Sequence, residues 1–218
     1  MGLYREPIAA RREEIASTLL ANVENPAFDR VVAVVEDETW TAAGAHAWQP
    51  WRWSPAWRHV RTDVAERLNL VFLGERLTYQ AAFAIAGAPK WAHGAVVLAN
   101  SDIEFDHTVE LANEVPERAL WCVTRTEKNG EFPWNPAFTQ DAWIFRPPLL
   151  RFWCPFKLGV PGCDNRIAFE AKRSGLAVSN PARRIRALHH HTSAVRRVNS
   201  EYRGPSLGVP IDPPDQRT

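Results

Sequence analysis

The chain contains no GxGxxG, no GxxxxGKS/T and no HExxH. Readings as a dinucleotide oxidoreductase, a P-loop kinase or a zincin therefore lose their main support. Cysteine is scarce: Cys122, Cys154 and Cys163 are odd in number, far apart and form no CxxC pair. That argues against a cysteine zinc site and reads as buried, reduced thiols. No apolar run reaches the length that crosses a bilayer, and the segment from Met1 to Arg12 is charged, unlike a signal peptide. The expected location is the cytoplasm, with no membrane span. Nor is there an excess of one charge: the formal net charge of +1 points to neither a nucleic-acid nor a membrane partner.

What is present fits one domain with a full core: 218 residues, 45% apolar and 23% charged. Ile8, Ile15, Leu19, Leu20 and Val23 fall at helical spacing, predicting a helix over 8–23 opened near Pro7 and closed by Pro26. Val31 to Val35 is apolar on both faces, as in a central parallel strand covered by helices. Similar runs occur at 70–73, 95–99, 120–123 and 143–145, with predicted helices at 78–86 and 164–174, the latter closed by Gly175. This alternation predicts an α/β fold with a mainly parallel sheet flanked by helices. Residues 40–59 interrupt it with Trp40, Trp48, Trp51, Trp53 and Trp57. The tail from Gly204 is proline-rich and expected to be extended or disordered, leaving residues 1–203 as the domain.

Three segments can carry chemistry. The run Val96 to Ala99 leads directly into Asn100, Ser101, Asp102, Ile103, Glu104, Phe105 and Asp106. In an open sheet the ligand crevice lies at strand carboxyl ends. On an extended chain Asp102, Glu104 and Asp106 share a face and offer hard oxygen ligands for Mg²⁺ or Mn²⁺. A solvated acidic turn, or a helix cap by Asp106, reads equally well. His189 and His191 alternate likewise and can add nitrogen ligands, with Arg183, Arg184, Arg186, Arg196 and Arg197 nearby to neutralise phosphate or simply to be solvated. Finally, the loop Leu158 to Gly162 precedes Asp164, which is either a helix N-cap or a carboxylate base. Asp141, just before an apolar strand, is equally a buried structural acceptor or a catalytic group.

Taken in order, these phrases resemble glycosyltransferases of the GT-A type. They are N-x-x-N-P (Asn22 to Pro26), R-L-T-Y (Arg76 to Tyr79), A-N-S-D-I-x-F-D (Ala99 to Asp106), Q-D-A-W-I-F (Gln140 to Phe145), L-G-x-P-G-C-D-N-R-I-A (Leu158 to Ala168), N-P (Asn180, Pro181) and H-x-H-x-S-x-x-R (His189 to Arg196). The resemblance covers about residues 15–197 and implies a single-domain GT-A fold with a nucleotide-binding first half and an acceptor-binding second half. It implies that Asp102 and Glu104 hold Mn²⁺ or Mg²⁺, completed by His191 or His189. Arg76 and Arg196 would hold the nucleotide-sugar donor, a UDP-sugar above others, and Asp164 would be the base of an inverting transfer. Asp141, Trp143, Asn165, Trp51 and Trp53 would meet the acceptor.

That acceptor is either a glycan, lipid or protein hydroxyl, or a hydroxymethylated DNA base. The clustered arginines and the Trp/Arg interleaving at 51–58 favour DNA, whereas tryptophans also stack on sugars. A non-catalytic nucleic-acid-binding module is the rival outside the enzymes, and the near-zero net charge speaks against it. A nucleotidyltransferase would need a glycine-rich basic loop after its first strand, which is not found between Met1 and Arg12.

Overall fold

The apolar runs at 31–35, 70–73, 95–99, 120–123 and 143–145 each overlap a strand, and the way the strands reverse places the functional side chains. A computed structural model of the chain describes residues 1–4, 6–36, 57, 60–88, 90, 94–149, 151–192 and 204–213. Strands β1 (Gly2–Leu3), β2 (Val31–Val35) and β3 (Leu68–Phe72) form a parallel sheet in that order. A second sheet has the order β4 (Val96–Ala99), β7 (Gln140–Phe145), β6 (Ala119–Thr124), β8 (Ala177–Ser179). Strands β5 (Ile103–Phe105) and β9 (Ala187–His189) make a small antiparallel ribbon. The helices are α1 (Ala9–Glu24), α2 (Thr62–Ala65), α3 (Tyr79–Ala86) and α4 (Cys163–Arg173), with 3₁₀ segments at His107–Glu114 and Pro136–Phe138. The architecture is mixed α/β.

The expectation of a mainly parallel sheet holds for β1 to β3 and needs correction in the second sheet. There β7 runs antiparallel to both β4 and β6, and only β6 and β8 are parallel neighbours. The connection fits the reversal: between Thr124 and Gln140 lies only one 3₁₀ turn and no α-helix of the kind that usually carries a parallel crossover. The reversal has a consequence for the site. It brings the beginning of β7, Gln140 and Asp141, level with the carboxyl ends of β4 and β6. Thr124 pairs with Gln140, and the Asn100 amide donates to the Asp141 carbonyl at 3.0 Å.

Strand β7 is buried on both faces, with Trp143 and Phe145 in one apolar cluster and Ala142 and Ile144 in the other, as period-two alternation requires. Helices α3 and α4 cover the first cluster through Ala82, Ile167, Ala168 and Ala171. Helix α1 packs Ile15, Leu19 and Val23 beside β2, and Trp57 joins this third cluster by donating its indole N–H to the Ala16 carbonyl at 3.2 Å. The other tryptophans of the Trp-rich stretch, including Trp51 and Trp53, lie outside the described residues. Cys122, Cys154 and Cys163 are buried and unpaired, and burial pushes the Cys154 and Cys163 thiols up to about 12 and about 11.

The N-x-x-N-P phrase has a structural role. Asn22 donates to the Ile103 carbonyl at 2.8 Å and accepts from the Phe105 amide at 3.0 Å, while Asn25 donates to the Phe105 carbonyl at 2.8 Å. Two side chains at the end of α1 thus take the place of a neighbouring strand for β5 and hold the segment that carries Asp102. Asn22→Ala would orphan a buried donor and a buried acceptor. A loss of about 3 kcal/mol in urea denaturation is expected.

Residues 204–213 carry no helix or strand and pack against the domain. Val209 is buried and its amide donates to the Ala137 carbonyl at 2.8 Å. Asn180 and Asp212 exchange hydrogen bonds, and the Leu207 amide donates to the Asn165 carbonyl at 3.0 Å.

Candidate functional site

The carboxyl ends of β1, β2, β4 and β6 and the start of β7 open into a cavity of about 810 Å³. Among its lining residues are Arg76, Asp102, Asp141, Trp143, Asp164, Asn165, His189 and His191. All eight belong to the residues singled out from the sequence. The size suits a ligand larger than a metabolite fragment.

Antiparallel pairing of β5 with β9 sets Ile103 opposite His189 and so delivers the histidines to Asp102. Asp102 Oδ2 lies 3.5 Å from His189 Nε2 and 3.7 Å from His191 Nδ1. The three ligand atoms lie within 4.8 Å of one another. Two metal–ligand bonds of about 2.1 Å span at most about 4.2 Å, so each Asp102–histidine separation accommodates one shared ion. His189 Nδ1 meets Glu127 Oε2 at 3.1 Å. A carboxylate on the far nitrogen fixes the tautomer that leaves Nε2 free as a ligand, an arrangement typical of metal-binding histidines.

Glu104 stands elsewhere. Its Oε2 pairs with His190 Nε2 at 2.8 Å, outside the Asp102–His189–His191 group. Alternation along β9 explains this, because His190 points opposite to its neighbours. Asp106 caps the following 3₁₀ segment through the Thr108 amide, one of the two alternatives open from sequence.

Arg11, which sequence reasoning missed, reaches Asp102 from α1. Its Nη2 lies 2.6 Å from Asp102 Oδ2, while Nη1 donates to Glu14 and to the His190 carbonyl. Burial works against the Asp102 carboxylate, but His189 and Arg11 outweigh it and hold the group well below the usual range. The same partnership, with Glu127, raises His189 against the effect of its own burial. Arg11→Met leaves Asp102 buried with less compensation, which should cost about 3–5 kcal/mol. Saturating Mn²⁺ should restore much of that loss, since an ion that binds only the folded chain stabilises it. Thermal melts with and without Mn²⁺ check this. Equal melting temperatures of the variant in the two conditions would contradict the cation site.

The loop 158–162, which also lines the cavity, turns through Gly159 (φ 66°) and Gly162 (φ 84°) into α4. Gly162 is the N-cap, so Asp164 sits within the first turn and is not the cap. Asp164 is pushed up to about 7, first by burial and then by the neighbouring Asp141 charge, despite backbone amides that favour its ionised form. Asp141 itself is engaged: Asn100 donates to Oδ1 at 2.6 Å and Arg125 to Oδ2 at 3.0 Å. Both Asp141 oxygens thus have protein partners, while the residue lines the cavity. Arg76 donates to the Leu158 and Gly159 carbonyls and shapes the loop while lining the cavity.

Four polar atoms of cavity-lining residues are buried without a hydrogen-bond partner: Gln140 Oε1, Trp143 Nε1, Asp164 Oδ1 and Asn165 Oδ1. Gln140 opens the Q-D-A-W-I-F phrase, which assigned it no role of its own. Arg196, Trp51 and Trp53 lie outside the described residues. The described part of the basic cluster is largely engaged. Arg184 pairs with Glu114, Arg186 approaches Asp106 at 3.7 Å, and Arg183 lies over the Phe132 ring. Among the described residues no helix is long and apolar enough to cross a membrane. No protein-family model and no curated protein matches this chain.

Proposed function

We propose that the chain is a metal-dependent glycosyltransferase of the GT-A type, moving a sugar from a nucleotide-sugar donor, a UDP-sugar above others, to an acceptor hydroxyl. The observation that carries this reading is the convergence of Asp102, His189 and His191 at a strand-end cavity. Charge supports it further. Glu6, Glu36, Asp102, Asp141 and Asp164 line the cavity against Arg11, Arg76 and Arg125. A diphosphate would be repelled there without an additional cation. Two imidazoles and one carboxylate favour Mn²⁺ over Mg²⁺, which prefers an all-oxygen shell. When bound, such an ion supplies positive charge against the departing diphosphate.

The chain's own residues divide the remaining work. Arg76 and Arg125 add positive charge to the cavity. Asp164, which lines the same cavity as the histidines, takes the acceptor hydroxyl proton as the new carbon–oxygen bond forms and the bond to the diphosphate breaks, its electron pair leaving with the diphosphate. Direct displacement with one base gives inversion at the sugar carbon. The acceptor reading favours a small hydroxyl compound over DNA, because the described arginines of the basic cluster engage protein groups.

A donor screen tests the proposal: hydrolysis of nucleotide sugars and calorimetric binding of UDP, each with and without Mn²⁺. Metal-dependent turnover of at least one donor is expected. Neither turnover nor metal-dependent UDP binding would overturn it.

A further inference from the structure

The ligands of the proposed ion and the cavity wall that carries Asp141 stand on different pieces of the fold. Asp102 precedes β5, His189 lies on β9 and His191 follows it, so the β5–β9 ribbon carries the whole group. Asp141 belongs to β7 of the second sheet. Just past β6 the chain crosses between the two pieces. The Thr126 amide donates to the Ala187 carbonyl at 2.7 Å, and the Thr126 carbonyl accepts from the His189 amide at 2.9 Å. Alternation sets Arg125 and Glu127 on one side of this extended segment. Arg125 Nε donates to Glu127 Oε1 at 2.7 Å, and Nη1 donates to Asp141 Oδ2 at 3.0 Å. Glu127 Oε2 in turn meets His189 Nδ1 at 3.1 Å, and His189 Nε2 lies 3.5 Å from Asp102 Oδ2. From the other direction Asn100, which shortly precedes Asp102 in the chain, donates to Asp141 Oδ1 at 2.6 Å. The contacts close a ring through Asp102, His189, Glu127, Arg125, Asp141 and Asn100. Arginine suits the joint between ribbon and sheet, because its planar fork bonds two carboxylates at once in fixed directions. Lysine offers a single compact ammonium on a flexible stem.

We propose that Arg125 is a positioning residue, which locks Glu127 against His189 and so holds that imidazole in place to receive the divalent ion. The inference rests on the cation site of the transferase reading and not on the transfer itself. Residues that hold a metal ligand from behind typically govern affinity by about 10- to 100-fold. Arg125 also anchors this support to the sheet through Asp141, so the ribbon and the sheet share one fixed geometry.

The test is isothermal titration of Mn²⁺ into the full chain without donor. Arg125→Lys keeps the charge and removes the fork, while Glu127→Asp keeps the charge and shortens the reach by a methylene. A change in affinity therefore reports geometry and not net charge. Each variant should bind Mn²⁺ about tenfold more weakly or worse. Circular dichroism reports folding, and either variant alone suffices if the other does not fold. The double variant supplies a readout that a general loss of stability would not move. A ring opened at one joint is not opened again at the next, so its affinity should stay within about threefold of the weaker single variant. Mn²⁺ binding by both single variants within about threefold of the unaltered protein, or losses that multiply in the double variant, would overturn the inference. If the variants lose Mn²⁺ while the unaltered protein turns over no donor, the role of Arg125 stands and the transferase reading falls. If metal-dependent turnover is seen while both variants bind Mn²⁺ normally, the reverse holds.

Discussion

Asp102→Asn should lower Mn²⁺ affinity by about a hundredfold or more and reduce metal-dependent donor turnover to background. Asparagine keeps the shape of the side chain and removes the charge, and among the described residues Asp102 is the carboxylate of the cluster with His189 and His191. Losing even an outer partner of a metal ligand costs about 10- to 100-fold in affinity, so losing the ligand charge should cost at least that. The variant should still fold, because Arg11 retains Glu14 and the His190 carbonyl as partners. Glu104→Gln is the matched control. Glu104 pairs with His190 and stands apart from the cluster, so Mn²⁺ affinity should change by less than about threefold. Isothermal titration of Mn²⁺ into both variants separates this arrangement from the simpler sequence expectation, in which both acidic positions hold the ion.

Asp164→Asn should lower transfer to the acceptor by about 10² to 10⁴, the range that general-base catalysis contributes. Donor hydrolysis by water, and UDP binding, should be less affected. The pH dependence follows from the environment of the group. With Asp164 near 7 in the free protein, kcat/KM should rise with pH up to about 7 and level off above it, since the base must be unprotonated. In Asp164→Asn that rise should vanish. Stability moves in the opposite sense. A carboxyl whose folded pKa is raised binds its proton more tightly when folded, so its contribution falls as pH rises from about 4 to about 7. Asp164→Asn should therefore raise the melting temperature at pH 8, by several degrees, relative to its effect at pH 4. A variant that loses activity with an unchanged pH profile would remove Asp164 from the role of base.

Local order was legible in the sequence, and long-range partnership was not. The apolar runs at 31–35, 96–99 and 120–123 became strands because residues apolar on both faces can be buried only inside a sheet. Alternation correctly put His189 and His191 together. It said nothing of His190, which found Glu104 across the ribbon. Arg11 sits in a run of charged residues, Arg11, Arg12, Glu13 and Glu14, that resembles a solvated helix face. Its burial against Asp102, 91 residues away, arises only when α1 docks on β5. The same holds for Arg125 and Asp141, which meet because β7 reverses, and for Gln140, whose significance lies in an oxygen left unpartnered. The tail looked structureless by composition, yet one buried valine and several backbone hydrogen bonds suffice to dock it.

The proposed transfer requires one divalent ion held by Asp102 and both histidines while it meets the donor diphosphate. Pulsed electron paramagnetic resonance of Mn²⁺ added to the protein with UDP tests it most directly, by resolving the nuclei bound to the ion. Couplings to imidazole nitrogen and to phosphorus should appear together, with the nitrogen coupling diminished in His189→Ala and in His191→Ala. A Mn²⁺ signal with phosphorus but no nitrogen coupling, or one unaltered by either histidine change, would contradict the account.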